Sequence, residues 1–403
     1  MLFGKKKFRL AAMIASGVLA CSLFTGCGGG DSAGNSNVGG SGNPISETEI
    51  VVGSNFELTG NVAQYGTNAA KGFRLAIKEA NAAGGVNGKQ IRIVEADNKS
   101  DAAESVNSAT KLISDDQVVV IVGPAVTGNV IAESQVATEN SIPVIAPAAT
   151  SAAVTVENGV LKPFIFRSCF IDPQQGEVMA EFAAKDLNAK TAVLYLDSSS
   201  DYSLGIGNVF KEKFEAAGGQ VLMDERFFAK DQDFKATLTK IAAANADVIF
   251  VPAYYEEVGK IVKQARELGI TAAIIGTDGW DDSKVVDIAG TDALNNTFFC
   301  THYSEDSESA QSFSAAYKAE YNENPNVFAA LGYDSGKMLV DALQRGATDS
   351  VSLRDKIETI KELQVGTGVI TMDALTHNPI KPIFILENKD GGRTLRQKVD
   401  PKA

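Results

Sequence analysis

IPVIAPAATS, residues 142–151, runs from five mostly apolar residues through a proline and two alanines to two hydroxyls. A short continuous apolar run is what a strand covered on both faces shows, the habit of a parallel sheet. Where it runs out, two readings stand. The small residues serve a tight strand-to-helix turn with an N-cap, or the turn leaves room for a ligand at which Thr150 and Ser151 are aimed.

Outward from this stretch the same pattern repeats. EIVVGSNF (49–56), QIRIVEAD (90–97) and VVVIVG (118–123) precede it as strands; TAVLYLD (191–197), QVLMDERFF (220–228), DVIFVPAY (247–254) and AAIIGTD (272–278) form a second set. Helical stretches lie between them. In residues 66–85, Ala69, Phe73, Ala76, Ile77 and Ala80 fall on one stripe, and Gly84–Gly85 stop the helix. The alternation argues for α/β architecture with mainly parallel sheets. The two sets part near FIFRSCFIDP (164–173), and NTFFCTHYSED (296–306) starts a tail with three helical segments and two further strand candidates. The expectation is two Rossmann-like lobes joined by a multi-crossover hinge, with a cleft between. The first lobe takes residues 49–168 and 303–370, the second 169–302 and 371–395.

The N-terminus reads differently. MLFGKKKFR carries four cations, LAAMIASGVLACSLF is apolar but shorter than a membrane span, and TGC follows: the layout of a secretory signal over residues 1–26. LFTGC resembles a bacterial lipobox, so Cys27 is expected to be the lipidated first residue of the mature chain; an ordinary secretory signal with a free Cys27 is the alternative. Residues 27–48, rich in Gly, Ser and Asn, read as a flexible tether. Anchor, tether and body place the protein outside the cytoplasmic membrane. Loss of the four signal cations takes the formal charge from −13 to −17, a poor match for nucleic acid or anionic lipid.

Enzyme motifs fail in turn. His302 and His377 are far apart in sequence, without ligand spacing, and read as surface or packing residues. GVNGKQ (85–90) lies between helix and strand, the wrong order for a phosphate loop. GIG (205–207) has Phe210 where a dinucleotide fingerprint needs its third glycine. DNKSD (97–101) lacks the glycine and the glutamate of a calcium loop. No catalytic residue, metal or cofactor is expected. What remains lies past strand C-termini, where open parallel sheets bind ligands. VGPAVTGN (122–129) opens a helix with Thr127 in its first turn, and IAPAATS is expected to do the same with Thr150 and Ser151. Two helix N-termini with adjacent hydroxyls suit a carboxylate. Tyr202, Tyr254 and Asp278 each follow a strand of the second set, Asp278 as a partner for an ammonium group.

These stretches, with LTGNVAQYGTNAAKG (58–72), ANAAGGVNGKQI (80–91) and GTDGW (276–280), resemble the leucine/isoleucine/valine-binding proteins, type I periplasmic binding proteins that feed ABC importers. The resemblance covers residues 49–390. It implies that the Ala148 carbonyl and Thr150 hydroxyl take a ligand's α-ammonium, with Asp278 where the family usually has an acidic residue, often Glu. It places the Thr150 N–H with the N–H and hydroxyl of Thr127 on the α-carboxylate. Tyr202 and Tyr254 would close over the ligand, and Tyr65, Ala125, Val126 and Phe328 would line an apolar side-chain pocket. Plain helix capping is the competing role for Thr127 and Thr150, and more so for Ser151. Tyr254 and Tyr255 are adjacent, so one of them faces the cleft; Trp280 is a rim or a packing residue. Some relatives have a first-lobe disulfide, but Ser100 and Val126 stand at those places. Cys169 and Cys300, in the two crossing segments, are candidates for a bridge, with buried thiols as the alternative.

The implied protein is a monomeric, lipid-anchored substrate-binding protein that closes on an α-amino acid, Leu, Ile or Val before others, and docks on ABC permease subunits. A sensor presenting an amino acid to a chemoreceptor or kinase is the rival; an enzyme on the same scaffold is a third reading without a nucleophile–base pair.

Overall fold

The computed structural model describes residues 42–305 and 308–401. The expected signal, Cys27 and most of the tether lie outside them. The tether's last residues do not hang free. The Asn43 amide donates to the carbonyls of Val118 and Ile113, at 2.9 and 3.4 Å. Ile45 N–H reaches Thr348 O, and Ser350 N–H reaches Asn43 O. Side-chain and backbone bonds thus hold residues 43–45 against the body.

The first sheet has five parallel strands: β1 (Glu49–Phe56), β2 (Gln90–Asp97), β3 (Ile121–Val122), β4 (Val144–Ala146) and β5 (Ile165–Arg167), in the order β2-β1-β3-β4-β5. The second holds β6 (Thr191–Asp197), β7 (Gln220–Phe227), β8 (Val248–Phe250), β9 (Ala273–Gly276), β10 (Thr297–Thr301), β11 (Ile383–Lys389) and β12 (Gly392–Val399), ordered β12-β11-β10-β9-β8-β6-β7. Its parallel core ends in the antiparallel pairs β10–β11 and β11–β12. Helices cover the faces, and strands buried on both sides read as unbroken apolar runs: TAVLYLD is buried at every position after its first. β12, mostly exposed and carrying Arg393, Arg396 and Lys398, escapes an apolar pattern because it is the edge.

One close helix pairing fixes the first lobe. Helix α1 (Ala63–Ala82) lies against the long helix of residues Val327–Gln344 so closely that a Cβ on Gly72 would stand 1.8 Å from Ala329 O, and one on Gly332 2.0 Å from Ala69 O. Only glycine permits that approach. The tail helix thus belongs to the first lobe although it follows the second in sequence.

IAPAATS does not open an α-helix. It runs into a 3₁₀ turn at Ala152–Val154 and a two-stranded hairpin, Val156–Glu157 with Val160–Leu161. β-Branched Val154, Thr155 and Val156 oppose a helix, and Asn158 and Gly159, both at positive φ, form the hairpin turn. Ser151 stands at the N-cap of the 3₁₀ turn without a side-chain capping bond.

The sheets are linked by segments near 168–171, 302–305 and 380–382. The last crossing lies beyond residue 371, because the pair Met372–Asp373 with Asn378–Pro379 stays with the first lobe: Thr155 Oγ1 donates to Asn378 Oδ1 at 3.1 Å, and His377 Nδ1 donates to Ile165 O at 2.9 Å. A buried ion pair joins two crossings to the first lobe: Lys381 Nζ donates to Ser168 O at 2.8 Å and to Asp334 Oδ2 at 3.1 Å.

Cys169 and Cys300 are both free and buried. They face different neighbours: Cys169 Sγ lies 3.4 Å from Ala149 O, and Cys300 Sγ lies 3.3 Å from Gln175 Oε1. They belong to different hydrophobic clusters. Adjacent segments therefore do not bring the thiols together. Burial pushes the Cys169 thiol up to about 12, so it stays a thiol. Among the described residues, no helix is long and apolar enough to cross a membrane, and no group of three or more His, Cys, Asp or Glu could hold a metal ion.

Candidate functional site

On the first lobe, two turns past the ends of β3 and β4 build one wall. Gly123 takes φ +104°, and a Cβ there would stand 2.3 Å from Asn55 O; the chain can turn this tightly beside β1 only as glycine. The turn then enters the helix Thr127–Glu139. Glu57, wholly buried at the end of β1, accepts from Ala125 N–H at 2.9 Å, Val126 N–H at 3.3 Å and the Asn129 amide at 2.9 Å. It absorbs the N–H groups just before the helix and leaves those of the first turn, Thr127 among them, to serve an anion. Thr127 Oγ1 accepts from Ser151 N–H at 3.3 Å, which ties the two turns together. Beneath the second turn, buried Arg167 donates to Ala149 O at 2.8 Å and to Thr155 Oγ1 at 2.9 Å.

The second lobe supplies a different wall. Tyr202 stands in the first turn of the helix Asp201–Ala216 after β6. Its ring stacks on Tyr254, 5.0 Å between centroids. Its hydroxyl donates to Asp278 Oδ1 at 2.7 Å and accepts from Gly279 N–H at 3.1 Å. Burial, with Asp278 beside it, holds this phenol well above its ordinary range, so it remains a donor. Asp278 sits in a 3₁₀ turn just past β9. Trp280 in the same turn is 1% exposed and donates to Val251 O at 2.8 Å, a packing residue.

Tyr65, Ala125, Val126, Ala148, Tyr202, Tyr254, Asp278 and Phe328 line one cavity between these walls, together with Gly279. Thr127 and Thr150 stand behind it, 2% and 0% exposed. The lobes meet here: Tyr65 Oη donates to Gly279 O and accepts from Tyr255 N–H at 3.0 Å, while Tyr255 Oη donates to Asn61 O at 2.8 Å. Tyr254 lines the cavity and its neighbour Tyr255 clasps the first lobe. Phe328 stacks on Tyr65 at 4.1 Å. The remaining space is about 10 Å³, room for no more than about one water molecule. A larger groove of about 750 Å³ lies on the flank between Lys71, Glu323 and Arg393, and contains none of the sequence-predicted site residues.

Two site residues escaped the sequence reading. Asp172 opens the helix Asp172–Lys185 just after the first crossing. It is buried, and its Oδ2 has no hydrogen-bond partner; nor has Thr150 Oγ1. Burial pushes the Asp172 carboxyl well above its usual range, Asp278 pushes it further, and the Thr150 hydroxyl and Arg167 pull the other way. Two buried acid groups near a hydroxyl without a hydrogen-bond partner make a site that a cation would complete. The second residue is His302. It is no surface residue: 1% exposed and stacked on Phe170, it bonds Asp278 Oδ2 through Nε2 at 2.9 Å. The available signal was position, since His302 immediately follows β10, on the edge that carries the other site residues. His377 is a packing residue, buried and stacked on Phe166.

The sequence profile of the periplasmic binding protein family matches residues 49–393. A branched-chain amino acid transporter substrate-binding protein, LivJ of Streptococcus pneumoniae, solved in complex with isoleucine, is similar at 39% identity over 87% of this chain and 99% of its own, with a TM-score of 0.82. The leucine-binding protein LivK of Thermotoga maritima is 32% identical over 87% of this chain and 99% of its own, also at a TM-score of 0.82. A Leu/Ile/Val-binding protein of Rhizobium johnstonii is 29% identical over 81% of this chain and 88% of its own. These relatives are binding proteins, not enzymes, and their fold is the one described above.

Proposed function

Because the chain belongs to the periplasmic binding protein family, among its leucine/isoleucine/valine-binding members, we propose that it is the extracytoplasmic substrate-binding lipoprotein of an ABC importer and that it closes on a branched-chain α-amino acid. The observation that carries this is the division of the cavity walls. Backbone donors and hydroxyls on the first lobe suit a carboxylate; Asp278 and Asp172 suit an ammonium; Tyr65, Val126 and Phe328 offer an apolar surface. A free α-amino acid with an aliphatic side chain has those three features.

The mechanism is closure. An amino acid needs far more than about 10 Å³, so the walls must part to admit it, and the Tyr65–Gly279, Tyr65–Tyr255 and Tyr255–Asn61 bonds are among those that break. The head group docks on Thr127 and Thr150, and rotation about the crossings brings Tyr202, Tyr254 and Asp278 onto it. Exclusion of water then strengthens the charge pairing and makes each unmade hydrogen bond costly. Lipidation at Cys27 would keep the protein beside its permease at high local concentration.

The test is a thermal-shift panel on protein unfolded and refolded to strip ligand. At about a thousand times the dissociation constant a ligand adds roughly 4 kcal/mol of stability. Leu, Ile or Val should raise the midpoint by several degrees while Glu, Lys and sugars do not. Silence from every amino acid would remove the reading.

A further inference from the structure

We propose that His302 is a positioning residue for the ligand's ammonium group: its Nε2–H fixes the Asp278 carboxylate in the orientation that faces the cleft. This rests on the reading that an α-amino acid occupies that cleft. The geometry is specific. Asp278 Oδ1 takes the Tyr202 hydroxyl at 2.7 Å, and Oδ2 faces His302 Nε2 at 2.9 Å. A carboxylate has about four acceptor sites, so two fixed bonds leave one free on each oxygen for a cation. The tautomer follows from the other side of the ring. Nδ1 lies 3.4 Å from the Phe170 N–H, which can only donate, so Nδ1 accepts and the proton sits on Nε2.

The ring itself cannot wander. It is wholly buried, with its face on Phe170 at 3.4 Å between centroids. Phe170 and His302 belong to two of the interlobe crossings, so the stack sits where relative motion of the lobes is smallest. Asp278 and Tyr202 both ride on the second lobe. The Tyr202–Asp278–His302 chain therefore survives opening, and the carboxylate is set before the ligand arrives, which spares the ordering cost of binding.

A neutral ring is required. An imidazolium would satisfy Asp278 by itself and repel an incoming ammonium. Asp278 and Asp281 favour protonation; burial, the largest effect, and Lys381 oppose it, so the ring is held below the ordinary histidine range and is neutral at neutral pH.

The chain has two histidines, so selective ¹⁵N-histidine labelling gives one probe signal in the site and one outside it. Without ligand, the His302 signal should report the Nε2–H tautomer and should move in Asp278→Asn while that of His377 does not. An unmoved His302 signal would overturn the proposal whatever the protein binds. With leucine, His302→Phe keeps an aromatic ring but removes the donor, and should weaken binding about tenfold, as for loss of a hydrogen bond to a charged group. His302→Gln, which keeps a donor, should recover most of it. In the Asp278→Asn background the phenylalanine substitution should cost less than about twofold, because interacting neighbours are not additive. An equal loss in both backgrounds would make His302 merely structural. If the wild type shows no leucine response but the unliganded spectra behave as expected, the ligand assignment fails and the positioning of Asp278 stands.

Discussion

The two walls of the cleft recognise by different physics. The first-lobe wall is built from Ala125, Val126 and Ala148, with Tyr65 and Phe328 beside them and Thr127 and Thr150 behind; it carries no acid, and it offers backbone dipoles and hydroxyls on turns that Glu57 and Arg167 hold from behind. The second-lobe wall and the crossings beside it carry Asp172, Tyr202, Tyr254, Asp278 and His302, and burial pushes the pKa values of Asp172, both tyrosines and His302 away from their ordinary ranges, each toward its neutral form. A neutral wall can grip a head group while the cleft is open to water. A wall of buried acids and phenols pairs with an ammonium, and that pairing gains its strength only when closure removes the water. Docking and locking are thereby assigned to different lobes.

Four experiments would break or sharpen that division. Asp278→Asn should have the largest effect, about a hundredfold in leucine affinity, or roughly 2–3 kcal/mol for a charge-assisted hydrogen bond removed from a dry site; titration calorimetry that returned near-wild-type affinity would take Asp278 out of the site. Thr150→Val removes a hydroxyl but no charge and should cost about tenfold, some 1–1.5 kcal/mol; a loss as large as that at Asp278 would erase the distinction between the walls.

A smaller effect tests the charge of the second wall through protons. Asp172 is raised, and an ammonium beside it favours its ionised form, so binding should release a proton when the pH lies below that raised pKa. Affinity then rises with pH up to that point and flattens above it. Calorimetry in buffers of different ionisation enthalpy measures the proton directly; release that persists unchanged in Asp172→Asn would assign it elsewhere.

The smallest effect lies behind the first wall. Glu133 is buried against Asn55 and Ser105, with Oε1 unpartnered, and burial raises its pKa well above the ordinary value. A carboxyl raised on folding contributes stability that is full below its unfolded pKa and lost as pH rises through the folded one. Glu133→Gln, neutral at every pH, should therefore raise the melting temperature at pH 8 and change it little at pH 4, without altering leucine affinity. Destabilisation at pH 8 would show that the first lobe needs this charge.

Much of this was written in local pattern. Apolar runs gave most strands of both sheets, and the residues just past their C-termini gave Tyr202, Tyr254 and Asp278, because in a parallel sheet every strand delivers its C-terminal end to the same edge; Tyr65, Ala125, Val126, Ala148 and Phe328 came from the family resemblance. Local pattern failed where an element's role depends on distant neighbours. IAPAATS read as a helix start until the β-branched residues after it paired into a hairpin, and β12 was invisible because an exposed edge carries no apolar periodicity. Cys169 and Cys300 lie on neighbouring segments but turn to different cores. Asp172 and His302 look like any helix-start acid and any lone histidine; only the folded chain puts one beside Thr150 and the other on Asp278. The sequence by itself determined the alternation of strands and helices and the chemistry available at each strand end, since those follow from periodicity and residue type. Which ionisable groups lose their water, and which face one another, only the tertiary structure decided, because burial and charge pairing belong to the space between segments and not to either segment alone.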